Sequence, residues 1–306
     1  MANSPNKSSS TSSDWNKLRF SSRPQPVQIS EWSSPPVPHS GWAGCDLMLG
    51  AGMVIIQPST GKVVVVEEMI EYIENEVTGK AKKIDKGKRK ESGKTGDDTA
   101  GPAERKTMTF RRRCFLPRGR KDIGESVDQT ALREAYEESG YEVDFLPLHV
   151  YNRQPAAPND REAYSRPSTE AIYHTLCSWS PRFRNGQCVD NGGEYFVSWF
   201  IGQIPENPVH HKGVGMPDEQ NYVSRLMPPE EALNALGDPM ERRVLEYAWA
   251  AYLSHHRFLQ FEMEQEEQRK LDQGKLEEAA LLEGDKSGQV LEEKEDRAHK
   301  ESGSTT

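Results

Sequence analysis

Three glutamates, Glu134, Glu137 and Glu138, stand at offsets of zero, three and four inside a short block with both ends marked, and this block constrains the fold most. Ser126 and Gln129 have capping-box spacing, with Ser at the N-cap and Gln at N3. Gly140 stands where a helix commonly ends in a left-handed residue. Between these marks the chain reads as a helix, and on a helix those offsets put the three carboxylates on one stripe. Like charges at that spacing cost roughly 0.2–0.5 kcal/mol per pair, so a cation is expected to compensate. A hard divalent ion, Mg²⁺ or Mn²⁺, suits oxygen ligands of this kind. Val127, Ala131 and Ala135 border the stripe, and the small ones would let the helix lie close to a sheet.

The rest of the chain reads as one domain with polar additions. Of 306 residues only 34% are hydrophobic and the mean hydropathy is −0.82, too polar for the whole chain to be core. Residues 1–44 are rich in Ser and Pro and read as a disordered leader. Residues 45–260 carry the apolar patterning of the domain, and 76–105, a Lys, Gly, Asp and Thr tract between two strand candidates, reads as a disordered insertion. Residues 261–306 are dominated by Glu, Lys and Gln and read as a charged tail, helical or disordered.

Inside the domain, Leu47–Gln57 and Lys62–Glu68 flank Pro-Ser-Thr-Gly and predict a β-hairpin. Thr107–Leu116 and Glu142–Tyr151 read as strands, and Gln154–Gly193 as irregular chain. Glu194–Ile204, apolar on both alternating faces, suits a central strand covered on each side. A short strand over Asn221–Met227, a helix from Pro228 to Leu236 and a helix over Pro239–Gln260 complete the reading. His255 and His256 fall on that last helix as exposed residues.

The net charge of −9 is unevenly placed. Basic residues gather at 80–90, which resembles a nuclear-import patch as well as a solvated loop, and at 105–121. That is enough for a small, phosphate-rich anion and less than a nucleic-acid groove would need, capped RNA excepted. Cys45, Cys114, Cys177 and Cys188 lack close pairing, which suits a reducing compartment; a cytoplasmic location follows, with a nuclear one if the basic patch acts. His174, Cys177 and Cys188 lack the fourth ligand and paired spacing of a zinc site. No apolar run approaches the roughly 18 residues of a membrane helix.

From Gly119 to Tyr141 the sequence is similar to the Nudix box, G-x5-E-x7-R-E-U-x-E-E-x-G-U, with U a bulky apolar residue. All seven fixed identities agree: Gly119, Glu125, Arg133, Glu134, Glu137, Glu138 and Gly140. Ala135 is small for its U position and Tyr141 is polar-tipped. The resemblance implies an α/β fold, a Nudix-type α/β/α sandwich around a mixed sheet, and a metal-dependent hydrolase that cleaves diphosphate linkages. It implies Glu134, Glu137 and Glu138 as metal ligands, with Glu137 or Glu134 acting on water, and Glu125, Arg133 and Gly140 as structural members of the motif.

The approach to the box, Arg111 to Lys121, is unusually basic, and Arg111, Arg113, Arg118, Gly119 and Lys121 are the candidates for holding substrate phosphates. Leu116-Pro117-Arg118-Gly119 is partly similar to the corresponding segment of diphosphoinositol polyphosphate and diadenosine polyphosphate hydrolases. The alternatives are a polyphosphate-binding sensor without catalysis and an RNA-cap decapping enzyme. The Glu-rich tail is a candidate surface for a protein partner.

Overall fold

The computed structural model describes residues 30–34, 39–75, 81–83, 106–217 and 219–302. Most of the leader, the insertion apart from 81–83, and residues 303–306 lie outside these. The chain divides at Cys45/Asp46 into two units; the described part of the first holds turns and no helix or strand. The second carries all the elements below.

The hairpin predicted at the start of the domain is β1 (Leu47–Gln57) and β2 (Lys62–Asn75). Gly61, at φ 63°, closes its turn in the left-handed region. Strands β3 (Ala81–Lys83) and β4 (Lys106–Phe115) pair antiparallel with the far half of β2, so part of the insertion read as disordered is strand. β5 (Arg118–Arg120) then crosses to β1, pairing Gly119 with Ala51. Helix α1 (Val127–Ser139) follows.

β10 (Gly193–Gln203) is central, as its two apolar faces require: it runs parallel to β1 from Glu194 to Gln203 and antiparallel to β7 (Tyr173–Trp179) on its other side. β6 is only Asp144–Phe145, shorter than the strand expected over 142–151; Pro147 lacks an N–H for a ladder and stops it. The stretch 154–193 is more regular than its sequence suggests. It holds β7 and a hairpin of β8 (Arg182–Arg184) and β9 (Gln187–Asp190). These strands are largely exposed, so they lack the alternating apolar signal by which strands are read. β11 (Tyr222–Met227) lies on the outer side of β2.

Both faces of this nine-stranded mixed sheet are covered. Met53 and Ile55 of β1, with Phe200 and Ile204, pack under Ala131 and Ala135 of α1. Val54, Ile56, Val197, Trp199 and Ile201 pack on the other side with Val244, Leu245 and Ala248 of α3 (Pro239–Ser302) and Ala232 of α2 (Pro229–Ala235). The period of two along β1 and β10 therefore serves two cores, and the α/β/α sandwich around a mixed sheet is the fold.

Helix α3 extends past Gln260 to Ser302, with residues 262–277 fully on the surface. The charged tail is thus a helical extension. His255 is buried rather than exposed: it accepts the His149 N–H at Nδ1 (3.1 Å) and stacks on the His149 ring. Among the described residues no helix is long and apolar enough to cross a membrane.

Candidate active site

Helix α1 is built by its two ends. The Ser126 side chain accepts the Gln129 N–H while the Gln129 side chain accepts the Ser126 N–H, closing the capping box. Gly140, at φ 72°, ends the helix in the left-handed region, and a Cβ there would lie 2.4 Å from the His211 carbonyl oxygen. Between these ends Ala131 and Ala135 are fully buried, which seats the helix on the sheet and turns the carboxylate stripe toward β5.

Glu134 and Glu138 are both buried. The Arg118 N–H donates to Glu138 Oε2 at 2.7 Å. Glu134 lies against Gly119 so closely that a Cβ there would meet its carboxylate at 2.0 Å. Burial pushes both carboxyls up. For Glu134 the Arg133 guanidinium pulls back; for Glu138 the Arg118 N–H pulls back while the charge of Glu134 adds to the rise, to about 9. Glu137 is partly exposed and pairs with Arg133 at 2.9 Å.

Arg133 ties the motif together. Its Nε and Nη2 donate to the two oxygens of Glu125 at 2.8 and 3.0 Å, and Nη1 donates to Glu134 and Glu137. Nη2 also donates to the Arg120 carbonyl, 2.9 Å away. Glu125 additionally accepts from Thr130 Oγ1 and the Asp122 N–H, and the Arg133 hydrogen bonds hold its carboxyl well below the usual range, at about 2. Arg133 is raised in turn, chiefly by Glu125. Both are thus committed to fixing the loop 121–126 on the helix.

The sequence candidates for substrate phosphate are spread over β4, β5 and the loop that begins at Lys121. Arg111 stacks on Tyr72, 4.9 Å from the ring centroid. Arg113 lies over Phe115 and pairs with Glu68 at 3.7 Å. Phe115 meets Tyr222 edge-on at 5.2 Å, and Tyr222 lines a groove of about 400 Å³ beside the C-terminal half of α1. The Tyr222 hydroxyl is raised by burial and then by the charges of Glu138, Glu68 and Glu219, with Arg113 opposing. Arg118 turns its side chain to the opposite face of the sheet, where Nη1 pairs with Glu241 at 2.7 Å and the guanidinium lies over Trp199. The Lys121 ammonium donates to the neighbouring Asp122 carbonyl.

Two acidic residues escaped the sequence reading. Glu219, on the loop between β10 and β11, raises both Glu134 and Glu138 through its charge. A Cβ on Gly215 of that loop would meet both the Glu219 carboxylate and the Glu137 carbonyl, so the loop lies against the helix. His210, His211 and Lys212 line the same groove, and Tyr136 and His211 share a hydrogen bond at 3.0 Å. Glu241 is the other. A lone carboxylate in a loop or a first helical turn carries no spacing signal that could have found either. Arg182 is exposed and paired with Asp190, while Tyr173 packs on Tyr247 and Trp179 bonds Asp190.

A divalent cation fits the donor chemistry here. Among the described residues no three His, Cys, Asp or Glu side chains converge on a point able to hold an ion alone. Mg²⁺, however, commonly takes one or two carboxylates and completes its shell with water and substrate phosphate. Glu134 and Glu138 supply two such carboxylates, both buried, in a setting where burial and the charges of neighbouring carboxylates, Glu137 and Glu219 at Glu134 and Glu134 and Glu219 at Glu138, oppose ionisation. A cation would relieve both effects.

The chain is similar to a NUDIX hydrolase from Nitrosomonas europaea, at 17% identity over 66% of this chain and 88% of that one, with a TM-score of 0.30. It is similar to the E. coli dihydroneopterin triphosphate pyrophosphohydrolase at 11% identity over 65% and 92%, TM-score 0.30. For the E. coli ORF135 protein the identity is 12% over 69% and 94%, TM-score 0.33. No curated protein matches. Residues 103–248 match the family model of the NUDIX domain, a span that contains the whole box, its capped helix and the central strand. The chain therefore carries a NUDIX domain, the domain that defines the Nudix hydrolases.

Proposed function

We propose that this Nudix hydrolase cleaves a diphosphate linkage in a small, highly anionic substrate, a nucleoside-diphosphate-linked compound or an inositol polyphosphate, using Mg²⁺ or Mn²⁺. The family's general activity is hydrolysis of nucleoside diphosphate-linked compounds. The observation that carries the finer reading is the buried pair Glu134 and Glu138, one helical turn apart on α1 and both against β5.

Glu134 and Glu138 would hold the cation. When bound, it would neutralise phosphate oxygens and lower the pKa of a coordinated water. Glu137, less buried and held by Arg133, is the carboxylate on the same stripe placed to ligate further or to take a proton from water. Glu125 and Arg133 keep the loop and helix in register, which matters because misplacing a reacting group by 1 Å can cost about a hundredfold. Arg113 and Arg111, two positions apart on one face of β4 over Phe115 and Tyr72, are the cations that would meet distal phosphates. Arg118 has its guanidinium engaged with Glu241 and its N–H with Glu138, and Gly119 pairs with Ala51, so that role falls to Arg111 and Arg113; Lys121 lies on the adjoining loop.

The test is a panel of diphosphoinositol phosphates, dinucleoside polyphosphates, ADP-ribose and capped RNA, incubated with and without Mg²⁺ and with products identified. Metal-dependent release of a phosphate or nucleotide from one of these supports the reading. Tight binding of a substrate that stays intact would support a sensor in its place, and exclusive cleavage of capped RNA would redirect it to decapping.

A further inference from the structure

Leu116-Pro117-Arg118, the tripeptide that carries the chain from β4 into β5, is held at each residue. The Leu116 N–H donates to Glu241 Oε2 at 2.9 Å, the Pro117 carbonyl accepts the Met53 N–H at 2.9 Å, and the Arg118 N–H donates to Glu138 Oε2 at 2.7 Å. Glu241 returns to the same segment a second time, pairing Oε1 with Arg118 Nη1 at 2.7 Å. It stands in the first turn of α3, on the far side of the sheet from α1, and only 1% of it is exposed. Asp238, whose side chain caps that turn by accepting the Met240 N–H, approaches Arg118 Nη2 at 4.0 Å.

The Arg118 guanidinium lies over the Trp199 ring, 5.7 Å from its centroid, and at Gly52 a Cβ would meet both Trp199 and the Arg118 Cβ, so the start of the arginine side chain passes close over β1. Arg118 thus has its side chain fixed on one face of the sheet and its N–H aimed at the other. A fully buried carboxylate is retained only when paired and hydrogen-bonded. Both oxygens of Glu241 are spent on this one segment.

We infer that Glu241 is a positioning residue for hydrolysis: by clamping Leu116 and Arg118 from behind the sheet, it sets the Arg118 N–H that orients Glu138 for the cation. The inference rests on the metal reading above. It links α3, which lies outside the box, to a carboxylate inside it through one side chain and one peptide group. Partners that orient a metal ligand from behind typically affect metal affinity by roughly ten- to a hundredfold when removed.

The experiment uses the full chain with Glu241→Gln, which keeps an acceptor for Leu116 but removes the charge facing Arg118, and with Arg118→Met, which keeps the peptide N–H. A third variant, Glu67→Gln, breaks a buried ion-pair site on the same sheet that involves Arg112 and Arg225 and serves as the control for lost stability alone. Amide exchange of Arg118 is measured without metal, and Mn²⁺ affinity by electron paramagnetic resonance. Faster Arg118 exchange and about tenfold weaker Mn²⁺ binding in Glu241→Gln and Arg118→Met, with Glu67→Gln unchanged in both, is the expected result. Unchanged Arg118 exchange in a folded Glu241→Gln protein overturns the inference, as does wild-type Mn²⁺ affinity despite faster exchange. A Mn²⁺ affinity lowered equally in Glu67→Gln also overturns it, since the effect would then follow stability. Failure of the wild type itself to bind Mn²⁺ overturns the metal reading, and the coupling with it, whatever the exchange rates show.

Discussion

Adding a single methyl group at Gly119 should disable the site. A Cβ there would lie 2.0 Å from the Glu134 carboxylate carbon, where ordinary contact begins at 3.4 Å, so the carboxylate must retreat by about 1.4 Å or β5 must lift from β1. Overpacking of this kind costs roughly 1–3 kcal/mol, which for a domain of this size lowers Tm by about 2–12 °C. The functional loss should be larger than the stability loss suggests. Displacing a reacting group by about 1 Å costs on the order of a hundredfold in rate, and Glu134 would also leave its 2.8 Å pairing with Arg133. Metal-dependent turnover and thermal unfolding are compared for Gly119→Ala and for Gly237→Ala, whose added Cβ would meet nothing within 4 Å. Turnover of Gly119→Ala within about threefold of wild type, in a protein of unchanged Tm, would refute the close approach on which the reasoning depends.

Arg133→Ala leaves Glu125, Glu134 and Glu137 without their shared cation and should destabilise by about 3 kcal/mol, read from urea unfolding at neutral pH. Glu125→Gln should show a particular pH dependence. Its carboxyl lies at about 2 in the folded chain against an ordinary value of 4.5, so its stabilisation is present above 4.5 and lost as pH falls toward 2. The stability gap between wild type and Glu125→Gln should therefore be full at pH 7 and narrower at pH 3; a gap that widens on acidification contradicts the assignment. Ending the chain after Phe261 removes a helix whose residues 262–277 are all on the surface, so unfolding free energy should change by less than about 0.5 kcal/mol and turnover should persist. If a protein partner is captured only by the longer chain, the extension is its docking element.

What the sequence discloses here is what is local. The capping box of Ser126 and Gln129, the left-handed Gly140 and the stripe of Glu134, Glu137 and Glu138 all lie within about four helical turns, where spacing alone determines which groups can meet. The two-faced apolar pattern of residues 194–204 likewise announces a strand covered on both sides. The strands β7, β8 and β9 were hidden because their side chains are largely exposed and their apolar residues do not alternate with polar ones along β7, so no periodicity marks them. Long-range partners were hidden for a different reason. Arg118 reads as a phosphate ligand from its neighbours in sequence, yet its side chain goes to Glu241, 123 positions later, on the opposite face of the sheet. Glu219 acts on the stripe from a loop whose placement only the fold supplies, and His255 is buried by a segment a hundred residues away.

The central claim, that buried carboxylates on α1 support metal-dependent cleavage of a diphosphate, is tested most directly by comparing wild type with Glu138→Gln in Mg²⁺, on whichever substrate of the panel is turned over, with products identified after reaction in ¹⁸O-labelled water. The account predicts diphosphate cleavage with label in a phosphate product for the wild type only, none without metal, and none for a Glu138→Gln protein of native circular dichroism. Turnover by Glu138→Gln at the wild-type rate, or metal-independent cleavage by the wild type, would contradict it.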